Sequence, residues 1–415
     1  MTGVHRTRHL AKHLPTFGWT PIVLCVDETY HEQNLDFSLS GLTPPATEVV
    51  KVPAVPAWVS RPFGLGDISL RSWAQLRRQL AKLLASRPIA AVMISAAPYY
   101  SLMLSTMVKR QFGVPVVLDF QDPWVSGWGE KQAKWSKAGL SHRLATLLEP
   151  LAVRNADFIT SVSEVQNQEM SKRYPWLDRL RMAAIPIGGD TEDFDHAVDT
   201  TGTSTFAIGG DGLVELSYVG SYWPAAEMPF RAFMRGLSRL RNIDAELAGR
   251  LRVNFVGTSS SGGNDSYRVR ALAEAEGVES LVREHPRRLP YLEALAIMRR
   301  SDGLILIGSD EPHYTASKIY PALMSRRPYL SLFHRASGAH HSLAAAGGGI
   351  ALEFSNAAEL ASLDIPIAEG LRALARAENS LGKVDPAFYA TYNAPSIARR
   401  YAEIFDYVSQ NARSR

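Results

Sequence analysis

The stretch GSDEPHYTASKIYPALMSRRP, Gly308 to Pro328, gathers Glu311, His313, Thr315, Ser317 and Lys318 into one short loop. The apolar run before it, DGLILIG, is predicted as a buried strand. The segment after it, TASKIYPALMSR, has helical spacing and a Thr/Ser start signal. Pro321 is tolerable there only within the first turn or so. A strand-to-helix turn in an open α/β sheet is a ligand-binding edge. A helix N-terminus offers free N–H groups to an anion. Lys318 adds a positive charge, and Thr315 and Ser317 add hydroxyl donors, so the set suits a diphosphate. Glu311 and His313, just upstream, are placed to meet sugar hydroxyls. The plainer reading makes Thr315 or Ser317 a helix cap and Lys318 a solvated charge. Pattern alone weighs the two about evenly, because many α/β loops look like this.

A second constellation is VVLDFQDPWVSGWG, in which Asp119 closes a predicted strand and Asp122-Pro123 opens a new element. Two acids at a strand's carboxyl end serve as acid or base, or hold hydroxyls. Asp122 before a proline is also what a simple cap looks like. Trp124 and Trp128, whose flat faces suit sugar rings, tip the reading toward a site. Gly220, in YVGSYWP, ends another predicted strand, a usual place for close backbone approach to a ligand. The run GTSSSGG is not a P-loop, since no Gly-Lys-Ser/Thr follows. His5, His9 and His13 recur every fourth residue on one predicted helix face. No acidic or cysteine partner lies near in sequence, which favours a basic helix face over a metal site.

The elements that must position these residues follow from alternating patterns. Predicted strands are PIVLCV, EVVKVP, IAAVMIS, PVVLDF, DFITSV and RMAAIPI, then LVELSYVG, LRVNFVG, SLVREHP, DGLILIG, PYLSLF and GIALEF. Helical patterns fall between most of them, including Ser101 to Arg110. Such alternation implies parallel sheets flanked by helices. Asp195 to Gly212, rich in Gly, Thr and Asp, reads as a linker. The expected architecture is therefore α/β, with two Rossmann-like domains facing across a cleft: 1–197, 213–390, and a C-terminal helix over 391–415 packing back across them.

The chain has 415 residues, 46% hydrophobic and 21% charged, and two domains are the natural expectation at that length. No apolar run is long enough to span a bilayer, and the N-terminus lacks a signal-peptide core. A single cysteine, Cys25, rules out a disulfide framework. It points to a cytosolic protein, with Cys25 expected inside a buried strand. A net charge of +4 suits an anionic ligand or lipid surface, without the charge density of a nucleic-acid binder. Arg71 to Arg87 pairs an apolar side of Trp73, Leu76, Leu80, Leu83 and Leu84 with basic residues opposite. That pattern fits peripheral contact with the inner face of an anionic membrane, and equally a core helix with a solvated face. EKQAKWSKAGLSHRL has similar character.

With these residues in place, the sequence resembles the family 4-type glycosyltransferases of the GT-B fold, over nearly its whole length. The segments that carry the resemblance are TGVHRTRHLAKHLPTFGWTPIVL, VVLDFQDPW, ADFITSVSE, IPIGGDTEDF, LSYVGSYWP and TASKIYPALMSRRPYL. Each is modest alone, and their order and spacing are specific. The resemblance implies a nucleotide-sugar donor held mainly by the second half and a glycan or lipid-linked acceptor held mainly by the first. It implies transfer that usually retains configuration and needs no metal or other cofactor. Gly3 matches the family's glycine loop, with His5 and Arg6 beside it; Asp119 and Trp124 fall on the acceptor side. Asp122 falls near the acid or histidine beside the reacting sugar, and Lys318 matches the donor-loop lysine, so these two are the expected catalytic residues. Gly220, Glu311, His313, Thr315, Ser317 and Arg287 complete the expected donor site.

The sequence departs from that pattern in three places. Pro321 stands where the family's ribose-binding glutamate is expected, and a proline accepts no ribose hydroxyl. Ser221 and YWPAAEM replace an Arg-and-Lys pair after the YVG strand, so Arg231, Arg287 and Arg288 become candidate substitutes. The predicted helix from Val4 to Leu14 follows Met1 directly, where the family has a strand and a glycine loop. That strand is central in the Rossmann order, so the first sheet should show a gap, a collapsed neighbour or an inserted segment, and the reading frame upstream is expected to encode the strand. Two rival functions follow from Pro321 and the fold: a non-catalytic glycan- or partner-binding protein, and a nucleotide-sugar epimerase.

Overall fold

The computed structural model describes residues 2–32, 35–96, 98–197, 206–209, 212–259, 266–311, 317–378 and 381–413. Two compact units emerge: Met1–Leu35, Thr43–Ile187 and Ala394–Arg415 form one, and Asp36–Leu42 with Gly188–Asn393 the other. The division falls at Ile187/Gly188, ahead of the Gly- and Thr-rich stretch expected to link the domains. The C-terminal helix, Ala394–Arg413, belongs to the first unit. Its Ile397, Tyr401 and Phe405 pack with Leu10 and Leu14 from the N-terminal helix and its following turn, and with Val117 and Phe158 of the sheet.

All twelve predicted strands form: β1 Ile22–Val26, β2 Glu48–Val52, β3 Val92–Ala96, β4 Val116–Phe120, β5 Phe158–Ser161, β6 Met182–Ala184, β7 Val214–Val219, β8 Leu251–Val256, β9 Val282–His285, β10 Gly303–Ile307, β11 Tyr329–His334 and β12 Gly349–Phe354. The second unit is a six-stranded sheet in the order β12-β11-β10-β7-β8-β9, parallel throughout. Counted within that unit, this is the doubly wound order 3-2-1-4-5-6, with its switch point between β7 and β10. Buried side chains such as Leu216, Val253, Phe255 and Ile305 explain why these strands read as continuous apolar runs.

The first unit is divided as expected. Strands β3-β4-β5-β6 form one parallel sheet and β1-β2 a separate parallel pair. Among the described residues no strand occupies the position between β1 and β3. Every residue of β1 is only partly buried, which corrects the expectation for Cys25: it lies half-buried on a strand whose neighbour position is vacant. Burial still pushes its thiol pKa up.

The N-terminal helix differs from its solvent-facing expectation, and of the two readings of Arg71 to Arg87 the structure bears out the core helix. In Thr2–His13, Arg6, Arg8, His9 and His13 are buried rather than forming a solvated basic face. In Trp73–Ser86, Leu76, Leu80, Leu83 and Leu84 all lie in the core, and buried Arg71 donates to the Val55 carbonyl at 2.9 Å and the Tyr30 carbonyl at 3.0 Å. The apolar side of Arg71 to Arg87 is thus spent inside the unit and is not available to a membrane. Leucines facing a sheet are worth more in the core than at a surface, at about 1.5–3 kcal/mol for each buried side chain.

Candidate functional site

In the second unit, four strand ends converge. Gly220 follows β7, Gly257 follows β8, Arg287 and Arg288 follow β9, and Gly308 follows β10. The β8 and β9 ends are joined by backbone bonds, Gly257 to the His285 carbonyl at 2.8 Å and Ser259 to the Pro286 carbonyl at 2.8 Å. Gly257 has φ +75°, and a Cβ there would lie 3.9 Å from the Arg288 Cα. Its left-handed turn lets the Arg287-Arg288 segment lie against it.

Lys318 closes the cluster from the far side of the β10 loop. A Cβ at Gly220 would lie 2.5 Å from the Lys318 Nζ and 3.0 Å from the Tyr218 hydroxyl. Gly220 is therefore required for the ammonium to rest on the end of β7. Tyr218 braces the turn by donating to the Ser221 carbonyl at 2.9 Å, and Arg288 donates to the Ser221 Oγ at 3.3 Å. Burial, with the nearby Arg288 charge, lowers the Lys318 pKa to about 7. Among the described residues no carboxylate pairs with Lys318. Two cations held together at a sheet's switch point, without an acid, make a site for an anion. A recess of about 120 Å³ at the ends of β11 and β12 is lined by Asp310, His334 and Asn356 among apolar neighbours.

The helix after Lys318 is short, Ile319–Met324, with Pro321 third in it. Pro321 is thus within the first turn, where its missing N–H costs nothing. Its backbone nitrogen would lie 3.5 Å from a Cβ placed on Gly189. Ser317 is half-buried beside Lys318, and exposed Glu311 has its N–H 3.3 Å from the Ser309 Oγ. His313 and Thr315 lie outside the described residues.

The first unit sorts its expected residues differently. Asp119 is fully buried. Its carboxylate accepts from Thr160 at 2.8 Å, Tyr401 at 2.7 Å and Ser95 at 3.2 Å, and faces Arg6 at 3.4 Å. Arg6 is also fully buried and donates to the carbonyls of Pro186 at 2.7 Å and Ile185 at 2.6 Å. These two residues, expected at the acceptor site, instead tie the N-terminal helix, β4, β5 and the C-terminal helix together. Trp124 is buried as well, stacked on Tyr99 with centroids 5.8 Å apart and edge-on to Tyr100 at 5.6 Å; it offers no face to a sugar. Gly3 is helical rather than in a loop, and His5 sits 3.4 Å from the Arg8 guanidinium. Asp122 and Trp128 reach the surface, and desolvation around the Asp122 carboxyl raises its pKa. No group of three or more metal-ligating side chains comes together among the described residues.

A family model described as a glycosyl transferase 4-like domain matches residues 2–188. The first unit is a glycosyl transferase 4-like domain. The match ends at the boundary where the second unit begins. Solved structures similar to the whole chain carry the same two-unit GT-B fold. A glycosyltransferase from Rickettsia africae aligns with TM-score 0.60 and 15% identity, over 98% of this chain and 95% of that one. HepE of Anabaena in complex with UDP and glucose aligns with TM-score 0.60 and 14% identity, over 96% and 95%. A UDP-forming α,α-trehalose-phosphate synthase from Burkholderia vietnamiensis gives 0.57 and 15%, over 82% and 76%. No curated protein matches at the sequence level. At these identities the structures establish the fold, and the family match speaks for residues 2–188.

The cluster at the strand ends of the second unit contains partners that sequence spacing brought out only in part. Gly257 carries the same strand-then-glycine signal as Gly220, and that shared signal was the available clue. Tyr401, which anchors Asp119, had none: it lies 282 positions away on a helix whose packing the sequence leaves open.

Proposed function

We propose that the protein transfers a sugar from a nucleoside-diphosphate sugar to a glycan or lipid-linked acceptor, with retention and without a metal. The diphosphate binds where Lys318 and Arg288 converge on Gly220 and Ser221. The observation that carries this reading is Lys318 itself: a desolvated ammonium beside a second cation, with its pKa lowered to about 7. An incoming dianion restores its charge and gains the Coulomb energy that water no longer screens. As the donor's bond breaks, negative charge grows on the leaving diphosphate, and the same two cations stabilise it more strongly than the ground state. Asp122, with its raised pKa, is the group placed to act on the acceptor side. UDP in complexes of HepE makes uridine the first base to test. Isothermal titration of UDP, GDP and dTDP against the wild type and Lys318→Ala tests the site. The expectation is micromolar binding of one nucleotide, lost in the variant; equal affinity in both proteins overturns it.

Pro321 favours a second reading, a non-catalytic glycan- or partner-binding protein, because no carboxylate stands at that helix position to hold a donor's ribose. The two separate in one assay. Donor turnover with cell-derived glycan or lipid acceptors supports transfer, and glycan binding without donor turnover or hydrolysis supports the binder.

A further inference from the structure

The helix Lys137–Val153 faces the wrong way for a core helix. Its inward positions are mostly small or polar: Gly139, Ala145, Glu149 and Ala152 are buried, with Val153 at its end. Glu149, fully buried, accepts from Val125 N–H, Arg173 and Tyr174. Four of its five leucines point outward instead: Leu140 is 47% exposed, Leu144 40%, Leu147 68% and Leu151 47%, while Leu148 packs on the core. Spacings of four, three and four place these side chains on one narrow stripe. At about 100° per residue, Lys137 and Arg143 fall on the two flanks of that stripe. Trp135, 81% exposed, stands just before the helix, with the Arg143 guanidinium 5.1 Å from its ring centre.

The surroundings have one sign. From Gly127 to Ala156 the exposed charges are Lys131, Lys134, Lys137, Arg143 and Arg154 against a single acid, Glu130. A second apolar turn adjoins. The Tyr99–Met103 turn contacts both this helix and the Ile68–Arg71 turn, and just before the latter the chain exposes Phe63 at 78% and Leu65 at 47%. A protein partner's groove would be recognised by shape. This surface combines a leucine stripe, an aromatic at its edge and a rim of cations, which is the composition that seats a helix in a lipid headgroup layer.

We infer that the Lys137–Val153 helix docks the first unit on an anionic membrane surface, with the Leu140–Leu151 stripe entering the lipid and the basic rim contacting headgroups. This replaces the Arg71–Arg87 helix, whose leucines are in the core. The contact does not depend on the donor site.

The test is co-sedimentation of the full chain with phosphatidylcholine vesicles, with and without phosphatidylglycerol. The wild type should sediment with the anionic vesicles only, and release as salt is raised. Leu147→Glu and Trp135→Ala, both at exposed positions, should keep the wild-type circular dichroism melt and bind about tenfold more weakly. Three results overturn the inference: no binding to anionic vesicles, binding unaffected by Leu147→Glu, or a dimer in light scattering that Leu147→Glu dissociates, which would make the stripe a contact between two copies.

Discussion

Lys318 links stability and the proposed function in one side chain. Its folded-state pKa of about 7 lies below the ordinary 10.5. Between those values the unfolded chain holds a proton that the folded chain has released, so this residue makes stability rise with pH from about 7 upward. Below about 7 the lysine is charged in both states and its desolvation cost is fully present. Lys318→Met should therefore melt higher than the wild type at pH 6, with the gain shrinking toward pH 9 and above. A pH-independent difference between the two melting curves would show that the ammonium is not desolvated. For binding the sign reverses: a diphosphate needs the protonated form, so affinity weakens as pH rises past about 7. In turnover assays with saturating donor, Lys318→Ala should lose about 10²–10³-fold, the usual effect of removing one preorganised donor to developing charge. Asp122→Asn should fold normally and lose transfer. Asp119→Asn should instead lower stability, because Asp119 neutralises buried Arg6 and accepts from Tyr401, whose hydroxyl burial keeps protonated. Removing one partner of a buried pair costs about 3–5 kcal/mol, readable as a lowered urea midpoint.

At the level of elements, the divided first sheet has consequences of its own. Ladder groups of β1 and β3 that point into the vacant position have no strand to bond among the described residues. Unpaired amides open to water exchange freely, while those within a ladder open only with the surrounding structure. Hydrogen exchange should show Ile22–Val26 and Val92–Ala96 protected on alternate amides only, with β4, paired on both edges, protected throughout. Uniform protection of β1 would mean that its outer edge is covered. The Trp73–Ser86 and Lys137–Val153 helices teach a related lesson. Both show leucines at helical spacing, yet the first buries them and the second exposes them. Periodicity states that a helix has a face, and only its neighbours decide whether that face meets a sheet.

For the molecule as a whole, two units with separate cores should melt as two cooperative blocks. If donor nucleotide binds the second unit, calorimetry should show one transition shifting with nucleotide and the other unmoved. At a hundredfold excess over Kd the shifted unit gains about 2.7 kcal/mol. A rise in both transitions would place nucleotide contacts in the first unit as well.

Strand positions, the parallel α/β class and the pairing of Gly220 with Lys318 were legible in the residues alone, because they rest on local signals. Twelve apolar runs of strand length, glycines at strand ends, and a lysine after a strand are features of neighbouring residues, and backbone geometry converts them directly into elements. What only the tertiary structure decided was the inside and the outside. Arg6, Asp119 and Trp124 have the chemistry of a ligand site and stand in the interior, because Tyr401, Thr160, Ile185 and Tyr99 satisfy them from distant parts of the chain. A polar or aromatic side chain binds whatever partner reaches it first. Whether that partner is a ligand or the protein's own interior depends on contacts between residues far apart in sequence, and no local pattern encodes them.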